Sequence, residues 1–233
     1  MITFDLIATS DTARAGLLHT PHGDVPTPVF VPVATQASVK TVTPQELRDV
    51  GAAILLGNTY HLYLRPGVDI VRDMGGLAGF MGWNGPILTD SGGFQAYSLA
   101  SRVRVTDDGL QFRSHLDGSQ HLFTPESAMA YQQALGADIA MALDQCIEYT
   151  KEIDEVRAAM RRTHAWLARC VSTQQTDTAQ ALFGIVQGGI FPDLREESAA
   201  YVTSLDLPGY AVGGMAVGEP KATMYSVTEH TAA

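Results

Sequence analysis

Short apolar runs that stop abruptly at a polar residue or a glycine pair recur along this chain. Ile87, Leu88 and Thr89 lead to Asp90, followed by Ser91, Gly92 and Gly93. Residues 139–143 lead to Asp144, residues 182–186 to Gln187 and Gly188-Gly189, and residues 210–212 to Gly213-Gly214. Apolar runs of this length, closed by small flexible residues, read as buried strands. With two earlier runs they give six candidate strands: 29–34, 53–57, 86–90, 138–143, 182–187 and 210–214. Helical signals alternate with them. Thr43-Pro44-Gln45-Glu46 supplies an N-cap, a proline at the first helical position and a capping-box glutamate, and Thr124-Pro125-Glu126 repeats the logic. A helix over 68–74 should stop at Gly75-Gly76. From Thr150 to about Val171 the apolar residues Ile153, Val156, Met160, Leu167 and Val171 recur near the helical period. The opposite face carries Arg157, Arg161, Arg162 and Arg169 and reads as solvated. Further helices are expected over about 193–204 and from near Pro220.

Strands alternating with helices suit a parallel α/β fold. Polar groups at successive strand ends favour a TIM-type (β/α)8 barrel. A doubly wound sheet usually carries a phosphate loop, and neither G-x-G-x-x-G nor a Walker A motif is present. Residues 1–28 are expected to form antiparallel strands, and 29–233 to form barrel units one to six of a single domain. Val103, Val105, Leu110 and Phe112 around Asp107-Asp108-Gly109 predict a β-hairpin inserted into the alternation. A barrel needs two more units, so the chain reads as C-terminally truncated.

Composition narrows the function classes. The 233 residues are 45% hydrophobic and 17% charged, which suits a folded domain rather than a disordered one. The formal charge of −10 argues against nonspecific nucleic-acid binding over the whole surface, while leaving room for a local basic face. Cys146 and Cys170 lack zinc-ligand spacing and suggest a reducing compartment. The N-terminus lacks signal-peptide character, and no run approaches the ~18 apolar residues of a membrane span. A cytoplasmic enzyme with no membrane partner is the expectation.

The strand ends carry the candidate chemistry. Asp90 and Asp144 can each serve as general acid/base, ligand anchor or loop cap. Gln187 offers donors and an acceptor on one amide, and Gly213-Gly214 allows backbone N–H groups to approach a ligand closely. A carboxylate accepting two parallel N–H bonds, beside an amide and a backbone N–H that donate to a neighbouring carbonyl, matches the pairing edge of guanine. Paired glycosidase carboxylates are the competing reading, but they require neither the amide nor the diglycine. Cys146 reads as a small pocket wall, Phe94 as a ring that could stack on a planar base, and Met215 as packing beside the diglycine. His61, His115, His121 and His164 have no mutual spacing for a metal site.

At these residues the chain resembles the tRNA-guanine transglycosylase family in its bacterial branch. The matching motifs are T-D-S-G-G-F-Q (89–95), G-A-D-I-A-M-A-L-D-Q-C (136–146), F-G-I-V-Q-G-G (183–189) and G-Y-A-V-G-G-M-A-V-G-E (209–219), with G-N-T-Y-H-L-Y-L-R-P-G (57–67) and F-R-S-H-L-D-G-S (112–119). The resemblance implies a TIM-barrel enzyme that exchanges guanine at the tRNA wobble position for 7-aminomethyl-7-deazaguanine through a covalent ribosyl-enzyme intermediate. It casts Asp90 as general acid/base and Asp144 as partner of the base's N–H/NH2 edge. Gln187 and the Gly214 backbone hold the keto oxygen, with Gly213 beside them in the base site, and Phe94 stacks. Cys146 and Val217 shape the base pocket, Met215 offers its carbonyl to the aminomethyl group, and Ser91, Gly92 and Gly93 lie near the ribose or base. The family's nucleophilic aspartate lies on the eighth strand, and its structural zinc uses a C-x-C-x-x-C set plus a distant histidine. Neither motif occurs in this sequence. Gln145 stands where the family usually has glutamate. The implied partners are tRNA, the two bases and, for the family, a second copy in a homodimer. The alternative is a catalytically incomplete fragment or paralogue acting as a base-binding or partner subunit.

Overall fold

The computed structural model describes residues 2–99, 103–149, 151–174 and 178–233. In chain order the elements begin with strands β1 (Thr3–Ser10), β2 (Ala13–Thr20), β3 (Gly23–Thr27) and β4 (Val33–Ala34), helix α1 (Pro44–Asp49) and β5 (Leu55–Gly57). Next come helices α2 (Thr59–Leu64), α3 (Val68–Asp73) and α4 (Gly76–Met81), β6 (Ile87–Thr89) and α5 (Gly93–Leu99). Strands β7 (Val103–Val105), β8 (Leu110–Arg113) and β9 (Gln120–Phe123), helix α6 (Pro125–Leu135), β10 (Ile139–Met141) and α7 (Ile153–Thr173) follow. The order ends with β11 (Ala181–Val186), α8 (Pro192–Thr203), β12 (Gly209–Val212) and α9 (Lys221–Ala232). The chain divides into two compact units. One comprises Met1–Gly92, Ala128–Met141 and Gln175–Ala181; the other comprises Gly93–Ser127, Ala142–Gln174 and Leu182–Ala233.

In the first unit, β1, β2 and β3 form an antiparallel meander, while β4, β5, β6 and β10 pair in parallel in that order. The strand expected over 29–34 is confined to Val33–Ala34. Pro28 and Pro32 cannot donate to a ladder, and Phe30 between them is 81% exposed. The capping box at Thr43 forms as the sequence predicts, with Glu46 N–H donating to Thr43 Oγ1 and Thr43 N–H donating to the Glu46 carboxylate. Leu47, Leu55, Leu62, Val71, Leu77, Trp83, Ile87 and Leu135 pack as one apolar core. Buried polar side chains tie the strands together. Asp138 accepts the Ile87 N–H at 2.9 Å. Gln132 accepts from Thr89 Oγ1 (3.0 Å) and the Met141 N–H (2.9 Å), and donates to the Met141 carbonyl. These bonds satisfy strand-edge groups that water cannot reach.

In the second unit, β11 and β12 pair in parallel. The insertion is not a two-stranded hairpin but a three-stranded antiparallel sheet, β7-β8-β9. Leu122 and Phe123 lengthen it because β8 can pair on both edges. The long helix expected from Thr150 runs over Ile153–Thr173, and Thr150 itself lies outside the described residues. Its buried stripe holds Val156, Met160, Trp166, Leu167 and Cys170. The arginine face is not simply solvated. Arg169 makes a two-pronged ion pair with Glu126, 2.7 Å for each bond. Arg162 donates to Asp107 Oδ1 (3.0 Å) and Gln145 Oε1 (2.7 Å). Gly184 leaves room for α8, since a Cβ there would lie 2.6 Å from Val202 Cγ1. The chain is thus an α/β protein with parallel strands. Among the described residues no helix is long and apolar enough to cross a membrane.

Candidate functional site

The ends of the buried runs in the second unit converge. The Ala142 N–H donates to the Phe183 carbonyl at 3.1 Å, aligning residues 142–144 with the C-terminal half of β11. Gln187 leaves β11 with its side chain 3% exposed, and its Nε2 donates to Asp144 Oδ2 at 2.7 Å. Asp144 is 7% exposed. On the other side of β11, the Gly213 N–H donates to the Val186 carbonyl at 2.9 Å. A side chain at either glycine would force its neighbours to shift. A Cβ on Gly213 would lie 2.3 Å from Ile185 Cγ2 and 2.9 Å from Gln187 Nε2. Gly214 has φ +67°, and a Cβ on it would lie 2.5 Å from Gln187 Oε1. The structure therefore joins Asp144, Gln187, Gly213 and Gly214 into one cluster, with the Gln187 amide between a carboxylate and two glycines.

Cys146 adds a weak S–H donor, 3.8 Å from Asp144 Oδ2. Partial burial, then the neighbouring Glu148 and Cys146, raise the Tyr97 hydroxyl above its ordinary value. Those neighbours place α5, which carries Phe94 in its first turn, beside residues 146–148. Phe94 is 44% exposed. Met215 and Val217 line a narrow cleft with Gly214, Phe191 and Glu219, and its free space of about 10 Å³ is at most one water. Gln145 turns its amide oxygen to Arg162.

Two supports were not singled out from the sequence. Arg195 on α8 is 1% exposed and reaches three strand-end carbonyls: Gly189 (2.8 Å), Val186 (3.0 Å) and Gly213 (2.7 Å). It thereby fixes the backbone on both sides of Gln187 and just before Gly214. Burial pulls its pKa down to about 10. Glu219 accepts hydrogen bonds from the backbone N–H groups of Ala216 and Val217. Burial alone would raise its carboxyl, but these donors hold it below the ordinary value. They also stabilise Ala216 at φ +60°. A carboxylate two residues after Val217, in a glycine-rich turn, was the available signal for Glu219. For Arg195 nothing local in the sequence marks burial. Beneath the cluster, the Gln187 N–H donates to Ser198 Oγ (3.0 Å), which shares a 2.9 Å bond with His164 Nε2. Burial lowers the His164 pKa and favours the neutral ring that can accept from the serine hydroxyl.

Asp90, Ser91 and Gly92 belong to the first unit, apart from this cluster in the division of the chain, while Gly93 opens α5 in the second. Asp90 leaves β6 and accepts from Asn58 Nδ2 and from the Thr59 N–H at 2.9 Å, while its own N–H donates to the Gly57 carbonyl. Two donors from the β5–α2 turn thus fix the orientation of its carboxylate. Ser91 is buried, and Gly92 has φ +83°. No group of three or more His, Cys, Asp or Glu side chains among the described residues could hold a metal ion.

The family model described as queuine tRNA-ribosyltransferase matches residues 9–233. A queuine tRNA-ribosyltransferase of Desulforudis audaxviator is 58% identical over 217 residues, covering 93% of this chain and 58% of the relative. One from Ruminiclostridium cellulolyticum is 54% identical over 233 residues, covering 99% of this chain and 62% of the relative. One from Staphylococcus epidermidis is 52% identical over 232 residues, covering 99% of this chain and 61% of the relative. The chain thus spans about three fifths of the length of these relatives. With four strand-end groups gathered at the positions its motifs mark, and a match extending over nearly all its residues, the chain belongs to the queuine tRNA-ribosyltransferase family.

Proposed function

We propose that this chain carries the base-recognition machinery of a tRNA-guanine transglycosylase, which exchanges guanine at the tRNA wobble position for 7-aminomethyl-7-deazaguanine. The observation that carries the reading is the Asp144–Gln187–Gly214 cluster. Asp144 Oδ2 already holds Gln187, and a carboxylate has further lone pairs for the N–H/NH2 edge of the base. The second amide hydrogen of Gln187 and the Gly214 N–H supply donors to the base's keto oxygen. The bonds to the Asp144 carboxylate contribute roughly 1.5–3 kcal/mol each, and the neutral ones to the keto oxygen about 1 kcal/mol each. Phe94 stacks on the ring, Cys146 and Val217 wall the base, and the Met215 carbonyl receives the aminomethyl group. Gly213 keeps the backbone close.

Asp90 is the acid/base in this reading, giving a proton to the departing guanine and taking one from the incoming base. Its hydrogen bonds to Asn58 and Thr59 support that role by fixing the carboxylate. Ser91, Gly92 and Gly93 are assigned to substrate binding by their motif. The glycosidic bond breaks as a carboxylate nucleophile takes the ribose. The family carries that aspartate on its eighth strand, and no residue of this chain matches it by motif. The parallel strand–helix units are read as parts of a TIM-type barrel, whose strand ends host such sites. Cytoplasmic tRNA and a second copy of the enzyme are the partners this reading implies.

The test is calorimetric titration with guanine and with 7-aminomethyl-7-deazaguanine, alongside exchange of labelled guanine into tRNA. One base per chain is the expected stoichiometry. Binding without exchange would assign the chain to base capture alone. No binding of either base would end the reading.

A further inference from the structure

The three-stranded sheet of the second unit has two unlike faces. Leu110, Phe112 and Phe123 are buried, while Arg104, Gln111, Arg113, Gln120 and Leu122 are exposed between them. The register sets Arg104 opposite Gln111, Gln111 opposite Leu122, and Arg113 opposite Gln120. Arg104 and Arg113 therefore sit on a diagonal, a spacing of roughly 7–8 Å in an antiparallel pair. A groove of about 530 Å³ opens here, lined by Arg104, Gln111, Arg113, Gln120, His121 and Leu122 beside Phe112. None of these is acidic, on a chain whose net charge is −10. Arg104 has no carboxylate partner among the described residues, and Arg113 donates only a 3.3 Å bond to the Gly118 carbonyl.

The sheet is also tied to the base cluster. Asp107, in the β7–β8 turn, accepts from Arg162, and Arg162 in turn holds Gln145, next to Asp144. Trp166 Nε1 (2.8 Å) and Arg169 Nη1 (3.0 Å) both donate to the Asp107 carbonyl. Helix α7 thus fixes the turn of the sheet and the residue beside Asp144 through the same side chains.

We propose that this exposed face binds the sugar–phosphate backbone of the RNA whose base enters the Asp144–Gln187 cluster. The inference rests on the base-binding reading above. Guanidinium forks match phosphate oxygens bidentately. The two glutamines can donate to and accept from ribose 2′-hydroxyls, which distinguish RNA from DNA. Leu122, paired with Gln111 on this face, offers apolar surface to sugars.

The test uses the full chain and a fluorescently labelled anticodon stem-loop RNA with guanine at the wobble position. The Arg104→Gln/Arg113→Gln double variant removes two phosphate contacts at exposed positions, so its melting curve should match the wild type. Its RNA affinity should fall about tenfold or more at 0.1 M salt, and the slope of log affinity against log salt should flatten by about 1.4, at ~0.7 per contact. Its guanine affinity should not change. Unaltered RNA affinity and salt slope would overturn the proposal. So would a wild-type chain that binds guanine but not the stem-loop. Failure to bind either would defeat the base-binding reading and this surface with it.

Discussion

Replacing Asp144 by asparagine changes the charge at the centre of the cluster while keeping its shape. In the folded chain Asp144 Oδ2 accepts from Gln187 Nε2 at 2.7 Å. The asparagine carbonyl can still accept that bond, so the loss is that of a charge-assisted bond becoming a neutral one, about 1 kcal/mol. Melting should fall by ~2–4 °C for a chain of this size. Base binding should suffer far more. The carboxylate offers acceptors to two N–H groups of guanine, whereas asparagine keeps one acceptor and turns an NH2 toward a donor. Losing one charged bond and weakening the other costs about 3 kcal/mol, or ~100-fold in affinity. Calorimetric titration with guanine measures the affinity, and a thermal melt of the same sample measures the fold. An Asp144→Asn chain that binds guanine within twofold of wild type would refute the assignment of Asp144 to the base edge. A melt lowered by 10 °C or more would instead show that Asp144 is chiefly structural.

Gly214→Ala should weaken guanine binding at least tenfold and lower the melt, because φ +67° disfavours a side chain by ~1–2 kcal/mol and the new Cβ meets Gln187 Oε1. The same titration and melt check it. Iodoacetamide labelling of the native chain, followed by mass spectrometry, should find Cys146 modified and Cys170 intact, since burial pushes the Cys170 thiol up to about 12 while Cys146 is partly exposed. Guanine should slow the Cys146 reaction. The bidentate bond to Arg169 holds the Glu126 carboxyl down to about 2 from an ordinary 4.5. Because the folded value is depressed, the pair's contribution is complete above the unfolded value of 4.5 and is lost as pH falls toward 2. Glu126→Gln should therefore flatten urea-unfolding stability against pH across that window, by no more than about 1 kcal/mol because the pair is partly exposed.

Much of the parallel framework was legible in local pattern. Apolar runs ending at Asp90, Asp144, Gln187 and Gly213 mark β6, β10, β11 and β12, because a buried strand must be apolar and must end where small or polar residues begin. The caps at Thr43 and Thr124 fixed two helix starts for equally local reasons, although at the second it is Ser127, not Glu126, that exchanges bonds with the cap, Glu126 turning to Arg169 instead. The first parallel strand was overextended because the prolines around Val29 and Phe30 have no N–H to give a ladder. The third strand of the inserted sheet was missed because Gln120–Phe123 is too short and polar to stand out until β8 offers it an edge.

By itself the sequence determined which residue types stand at the strand ends, and through its long motifs it marked the family. Only the tertiary structure decided what those residues touch. It set the Gln187 amide between Asp144 and Gly214, buried Arg195 under three strand-end carbonyls, and turned Arg162 from an apparently solvated position toward Asp107 and Gln145. The reason is physical: periodicity reports whether a side chain faces inward or outward along its own element. Hydrogen-bond partners from other elements are set by how strands pair and helices pack, which no local stretch of chain encodes.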